Sequence, residues 1–329
     1  MNRIRFIILL IGAAAFLSGC FDSEESIPAH SIHYLNGKDS VSLFDFENGN
    51  TNQLKLDVLS ESPYGTTSRN PVEEKTLTMI QDDKKGYQYY LQSGEAFIEI
   101  GKVDTPVFGG VYTKDRIYTI VYEKEKAILK EIDPNSFKKV NEWELNGYPE
   151  AITADYETGT VYMLSRTDSI LLYTLKDGNI KKKQLLDDTY EVNAQFDDDQ
   201  LIISINQLVR NNGKETNNKE VKEIAVYDTK SEEIIETYTT EHPPKYVVPS
   251  GNEMLVISGT PNSNFIETIN NQNKVTSSSE LKTREVFGIT PYKNDYYVIS
   301  RDGIYKADNN QLTLIEKNEV PDSVDLSIQ

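Results

Sequence analysis

The only cysteine of this chain, Cys20, stands just behind its one apolar run near the N-terminus, Phe6 to Leu17. A thiol is a strong side-chain nucleophile, and the small residues Ser18 and Gly19 before it give a peptidase access to the Gly19–Cys20 bond. Other residues invite metal chemistry. Glu150, Glu191 and Glu285 each introduce a strand-like run, and carboxylates gathered at one opening could hold a divalent cation. Histidine is scarce, with His30 and His33 three apart and His242 before two prolines, so a zinc site is poorly supplied. Asp197, Asp198 and Asp199 lack the spaced carboxylates and glycine of a calcium loop and read as a solvated turn. Neither a Gly-x-Ser-x-Gly elbow nor a phosphate-binding glycine-rich loop occurs.

The N-terminus has a basic start at Arg3 and Arg5, an apolar centre and a small-residue exit, the layout of a secretory leader. The apolar centre is about a dozen residues, short of the roughly 20 that span a bilayer as a helix. Leu17, Ser18, Gly19 and Cys20 resemble the lipobox of bacterial lipoproteins. That resemblance implies cleavage before Cys20, a diacylglyceryl thioether on its sulfur, and a lipid-anchored protein on the extracytoplasmic side of the cell membrane. The expected organisation is a leader over 1–19, a lipidated cysteine with an acidic tether over 20–30, and one folded domain over 31–329.

The 329 residues carry a formal charge of −18, two units more negative once Arg3 and Arg5 are cut away. Such a chain is repelled by nucleic acid and by anionic headgroups. Nucleic-acid binding is therefore excluded, and a monomer is expected. With Cys20 lipidated no disulfide can form, so stability rests on a core that a chain of this length can bury.

Strand signals dominate from residue 31 onward, in short runs rich in Ile, Val, Tyr and Leu. Strands at equivalent places centre near residues 43, 97, 129, 172, 225, 266 and 304. Their mean separation is about 43 residues, the period of a four-stranded propeller blade. Inner strands are expected over 109–115, 150–157, 191–198, 246–252 and 286–294. The first group lacks an inner strand, and the last is followed by a spare one over 322–329. The fold expected is all-β: a seven-bladed propeller of four-stranded antiparallel blades, closed by the C-terminal strand joining the first blade.

Residues 147–180 run from Gly147-Tyr148-Pro149 through an inner strand, a glycine turn, a Val-Tyr strand and a strand ending at Asp177-Gly178. This stretch resembles the repeat of bacterial YVTN-type propellers, and residues 127–145 resemble its second half. The single tryptophan, Trp143, fits tryptophan-bearing repeat families poorly. The YVTN-type family is functionally mixed, so the resemblance implies a fold and no particular activity.

In a four-stranded blade the chain reverses at each turn, so connections from the second to the third strand share a face with those leading to the next blade. The long irregular stretches 60–75 and 206–220, with 104–110, 146–150, 241–245 and 259–264, all fall on that face. Loops carry function more often than scaffold does. Candidate contact residues there are Tyr64, Arg69, Tyr148, Arg166, Arg210, His242 and Arg301, and Arg166 and Arg301 hold equivalent places. Tyr and Arg are common anchors of binding surfaces. The sequence thus points to a membrane-anchored, non-catalytic binding or scaffolding module for an envelope protein or cell-wall ligand, with no cofactor. Left open is a divalent-metal-dependent hydrolase or lyase acting on a sugar or lactone, its cation held by Glu150, Glu191 and Glu285 at the channel. A quinone-dependent redox protein is a third, weaker alternative.

Overall fold

The computed structural model describes Pro28 and residues 31–35, 40–55, 64–82, 86–188, 190–206, 221–260, 263–283, 285–293, 295–308, 311–317 and 325–328. The expected leader over 1–19, Cys20 and most of the expected tether over 20–30 lie outside these residues. The described residues form seven β-sheets in a ring around a central channel. The protein is a seven-bladed β-propeller.

The first sheet holds β1 (Ser31–Leu35), β2 (Ser40–Asp45) and β3 (Thr51–Lys55). The second holds β4 (Tyr64–Asn70), β5 (Lys75–Asp82), β6 (Gly86–Ser93) and β7 (Ala96–Val103). Next come β8 (Val107–Thr113), β9 (Arg116–Glu123), β10 (Lys126–Asp133) and β11 (Lys138–Leu145), then β12 (Tyr148–Asp155), β13 (Thr160–Arg166), β14 (Ile170–Lys176) and β15 (Asn179–Leu186). The fifth blade is β16 (Glu191–Asp197), β17 (Gln200–Asn206), β18 (Lys222–Asp228) and β19 (Glu233–Thr239). The sixth is β20 (Pro244–Ser250), β21 (Glu253–Thr260), β22 (Ser263–Asn270) and β23 (Lys274–Leu281). The seventh is β24 (Val286–Tyr292), β25 (Asp295–Ser300), β26 (Gly303–Asp308) and β27 (Gln311–Lys317), and β28 (Asp325–Ile328) ends the series. The inner strands β4, β8, β12, β16, β20, β24 and β28 neighbour one another around the channel. They all run from one face, here the upper, to the other, the lower.

The C-terminal strand closes the ring as expected, with one difference. β28 lies between β24 and β4, the inner place missing from the first blade. Its ladder, however, is parallel and runs to β4, pairing Asp325 with Tyr64 and Ile328 with Thr67. Adjacent inner strands share one direction, so a parallel ladder is the form that contact across two blades must take.

One stretch read as an irregular insertion is a strand. Residues 64–70 form β4, the inner strand of the second blade, and only 71–74 make a turn. The strand centred near residue 97 is therefore the fourth of its blade, not the third. The run was misread because Gly65, Thr66, Thr67 and Ser68 look like loop residues. Inner strands crowd together at the axis, where small side chains fit, and Thr66, Thr67 and Ser68 are buried.

Two-residue hairpin turns join many strands, with positive φ at both central positions of Lys114–Asp115, Lys124–Glu125 and Asp198–Asp199. Wider turns are closed by an aspartate. Asp155 Oδ1 accepts the Glu157 and Thr158 N–H groups at 3.0 Å each, and Asp133 Oδ1 accepts the Ser136 N–H at 2.8 Å. The outer strands β7, β11, β15, β19, β23 and β27 each carry a bulge, at Ile100, Val140, Leu185, Ile235, Thr276 and Ile315. Such bulges twist the exposed edge away from pairing with another sheet, and the lysines of β15 guard it further.

The core is divided into clusters lying between neighbouring blades. The cluster that closes the ring packs Ile32, Leu43, Phe44 and Phe46 of the first blade against Tyr90 and Phe97 on one side and Tyr292 and Tyr297 on the other. Phe46 stacks on Tyr292 at 4.5 Å and 11°, and meets Tyr297 at 4.7 Å. On the other side His33, only 1 % exposed, bonds Thr78 Oγ1 at 2.7 Å and Gln92 Oε1 of the second blade. Gln92 in turn donates to the Pro28 carbonyl at 2.5 Å.

Removing the Phe46 ring in Phe46→Ala should cost about 3–5 kcal/mol, read as a lower urea midpoint. Burial, opposed by the Gln92 bond, lowers the His33 pKa from 6.5 to about 4. The neutral ring therefore stabilises the fold fully above pH 6.5, and this contribution is lost as pH falls toward 4. The difference in stability between wild type and His33→Gln should shrink over that window by about 3 kcal/mol. A pH-independent difference in urea titrations would contradict this.

Candidate functional site

The upper mouth of the channel is built by bulges at the start of inner strands. In β8, β12, β20 and β24 the ladder skips one residue near the strand's beginning: Phe108, Glu150, Lys245 and Phe287 respectively. A bulge re-aims its side chain, and these four occupy equivalent places in their blades. No sequence signal marks them, because the skipped residue is apolar in two blades and charged in the other two.

The fourth blade holds the most developed part of the rim. Asn146 fixes the approach to β12: its backbone N–H donates to Tyr173 Oη at 2.8 Å, and the Tyr173 O–H donates to Asn146 Oδ1 at 3.1 Å. Gly147 follows with φ +85°, and a Cβ there would lie 2.3 Å from the Arg166 carbonyl oxygen. Only glycine lets the connection pass this close to the end of β13. Tyr148 is thereby held with its ring 53 % exposed, 6.4 Å from Phe108, 6.0 Å from Tyr122 and 5.6 Å beneath the Arg166 guanidinium. Such a stack is attractive through the ring quadrupole.

Arg166 Nε also lies 2.8 Å from Glu150 Oε1. The Glu150 side chain is only 9 % exposed. Burial pushes its carboxyl up to about 7, against the opposing effects of Arg166 and the Val192 N–H, and nearby Glu191 pushes it further. In the seventh blade the arginine also meets a glutamate, but from the place that Tyr148 holds in the fourth: Arg301 Nη2 lies 2.6 Å from Glu285 Oε2, and the Arg301 N–H donates to the Glu285 carbonyl at 2.9 Å. Arg166 and Arg301 thus stand at equivalent ends of β13 and just past β25, as the sequence indicated.

The carboxylates expected to ring the mouth are not assembled as metal ligands. Glu150 and Glu285 are each committed to an arginine, and Glu191 approaches Glu150 without a third acid. Among the described residues no three His, Cys, Asp or Glu side chains form a metal-binding group. The rim lends the metal-dependent hydrolase reading no support.

His242 lies on the upper face but is occupied internally. Its ring stacks on Phe265 at 3.6 Å and its Nδ1 lies 2.8 Å from Glu267 Oε1. Glu267, fully buried, also accepts the Glu241 and His242 N–H groups at 3.0 Å each and the Ser258 hydroxyl at 2.5 Å. This network fastens the connection into the sixth blade. Tyr64 opens β4 on the upper face. Arg210, like Leu17, Ser18, Gly19 and Cys20, lies outside the described residues.

Arg69 is not on the upper face. It is the penultimate residue of β4, near the lower end of that strand, a displacement that follows from reading the strand as a loop. Its guanidinium lies 5.5 Å over the Tyr292 ring, and burial lowers its pKa. Arg69 lines a channel cavity of about 250 Å³ whose polar wall includes Thr153, Asn193, Gln195, Ser204 and Thr290. Asn193 and Gln195 alternate with Ala194 and Phe196 along β16, and that polar alternation in a predicted inner strand was the available sequence signal.

No family model matches the chain, and no curated protein matches it in sequence. Solved structures do match its fold. BamB from Moraxella catarrhalis superposes with a TM-score of 0.55 at 11% identity, covering 88% of this chain and 86% of its own. Apo AztD from Citrobacter koseri gives 0.56 at 10% identity, covering 91% and 96%. The WD40 β-propeller domain of Doa1 gives 0.57 at 12% identity, covering 86% and 92%. At these identities the likeness defines a propeller and nothing finer.

The Glu150 proton has a measurable consequence. Held to about pH 7 in the fold and released near 4.5 when unfolded, it stabilises the fold fully below pH 4.5, and this contribution is lost as pH rises through 7. The stability of wild type relative to Glu150→Gln should therefore fall between pH 4.5 and 7 in urea titrations. A flat or rising difference would contradict the burial of this carboxyl.

Proposed function

We propose that the protein is a lipid-anchored lipoprotein on the extracytoplasmic side of the cell membrane, with a YVTN-like propeller that binds an envelope protein through its upper face. The observation that carries the reading is Tyr148: an exposed aromatic residue that follows the tight Gly147 connection, flanked by Phe108 and Tyr122 and capped by Arg166. A large ring already held in place loses little freedom on binding, so its buried area counts more fully toward affinity. Tyr and Arg are also among the residue types enriched at energetic anchors. The acidic body keeps the domain off anionic headgroups, and Cys20 supplies the attachment that the surface does not.

The test is crosslinking of the lipidated protein in intact cells, followed by identification of what is recovered. Replacing Tyr148, Arg166 and Arg301 together by alanine should abolish capture of a reproducible partner while leaving the far-ultraviolet circular dichroism unchanged. Cys20→Ser should release the protein from the membrane fraction. Undiminished capture by the triple variant would overturn the face, and membrane retention of Cys20→Ser would overturn the anchor.

A further inference from the structure

The channel cavity has no part in the rim reading, yet its wall is built like a ligand site. Three observations converge. First, the guanidinium of Arg69 lies at one side, held over the Tyr292 ring, so its planar fork is pre-positioned in a partly desolvated place. Second, the Oδ1 of Asn193 already accepts the Ala194 N–H at 2.8 Å, which leaves the amide N–H₂ as the group presented to a ligand. Gln195, two residues along the same strand, makes no side-chain hydrogen bond to the described residues, so both its donor and its acceptor remain for a ligand. Third, about half the wall is apolar, from residues such as Tyr156, Phe196, Ile289 and Pro291. A concave, part-apolar space with a few convergent polar groups is a usual form of small-molecule site.

The charges select the ligand class. Lys245 reaches the same cavity, its ammonium donating to the Thr260 carbonyl at 3.0 Å and Asn264 Oδ1 at 2.7 Å, neutral acceptors that leave its charge in place. Asp197 lines the cavity as well. Arg69 and Lys245 against the one carboxylate of Asp197 leave a single net positive charge in the wall, which suits a single negative charge and opposes a double one. A guanidinium fork matches a carboxylate in two parallel hydrogen bonds.

We propose that the central channel binds a small monocarboxylic acid, its carboxylate on Arg69, its polar substituents on Asn193 and Gln195, and its apolar part against Phe196, Ile289 and Pro291. The site lies toward the lower end of the channel, where β4 and β24 finish, and is separate from the rim around Tyr148.

The probes are hexanoate and N-acetylphenylalanine, each against its neutral amide, followed by ligand-observed saturation-transfer NMR on the full-length protein. Both acids should give saturation transfer and both amides at least tenfold weaker binding. Arg69→Gln should weaken the acids at least tenfold. The double variant Asn193→Ala, Gln195→Ala, on the facing strand, should weaken N-acetylphenylalanine more than hexanoate, because only the former carries an amide. That variant also decides the matter should Arg69→Gln fail to fold. Equal binding of acids and amides, undiminished binding by Arg69→Gln, or no response to any acid would overturn the proposal. Displacement of the acids by inorganic phosphate at lower concentration would overturn the single-charge assignment.

Discussion

Everything else in this molecule depends on the first blade being gripped from both sides. A propeller has no central core: its apolar surface is shared out between neighbouring sheets, so every blade needs two partners. Five blades, the second to the sixth, obtain both of theirs from chain that is close in sequence. The first must meet the seventh across the whole length of the protein, through Phe46 on Tyr292 and Tyr297, and Glu47 accepts hydrogen bonds from Tyr292 and from Lys293 at 2.7 Å. The same Tyr292 carries the Arg69 guanidinium on its ring. Closure and channel chemistry are thus mechanically joined, and loosening the seam would disturb the cavity before it disturbed the distant blades.

Bulges do most of the remaining work, at two radii. Near the axis they turn Phe108, Glu150, Lys245 and Phe287 out of the regular alternation, the last of them into the core of the seam. At the rim of the disc they bend six outer strands away from edge pairing. A flat ladder in either place would present alternating faces and long open edges, with neither a decorated mouth nor protection against association. The two Arg–Glu contacts then help hold the rim's shape, each glutamate meeting an arginine of its own blade.

The likeness to propellers of 10–12% identity follows from the same physics. Four short strands, tight turns and small inner residues satisfy the ring geometry with very few fixed positions. Such a scaffold constrains the shape of the surface and leaves its chemistry to individual residues. That is why the reading of function rests on Tyr148, Arg166 and Arg69, and not on the ring.

Much of this was legible in the chain itself. Short runs rich in Ile, Val, Tyr and Leu, Asp-led turns and a recurring interval of about 43 residues predict the blades, and five inner strands fall where that pattern puts them. A missing strand at one end and a spare one at the other predict the closure. The equivalence of Arg166 and Arg301 is also a matter of sequence order, since both directly follow a Leu-Ser or Ile-Ser pair. Three things were decided only in three dimensions. β4 is a strand because crowding at the axis favours Gly, Thr and Ser there, residues whose local preference is for loops. The mouth residues are set by ladder register, which no single strand encodes because it is a relation between two. The Glu150 proton and the Arg69 site arise from burial, and burial belongs to the assembled ring: a side chain loses its water only when blades distant in sequence close around it.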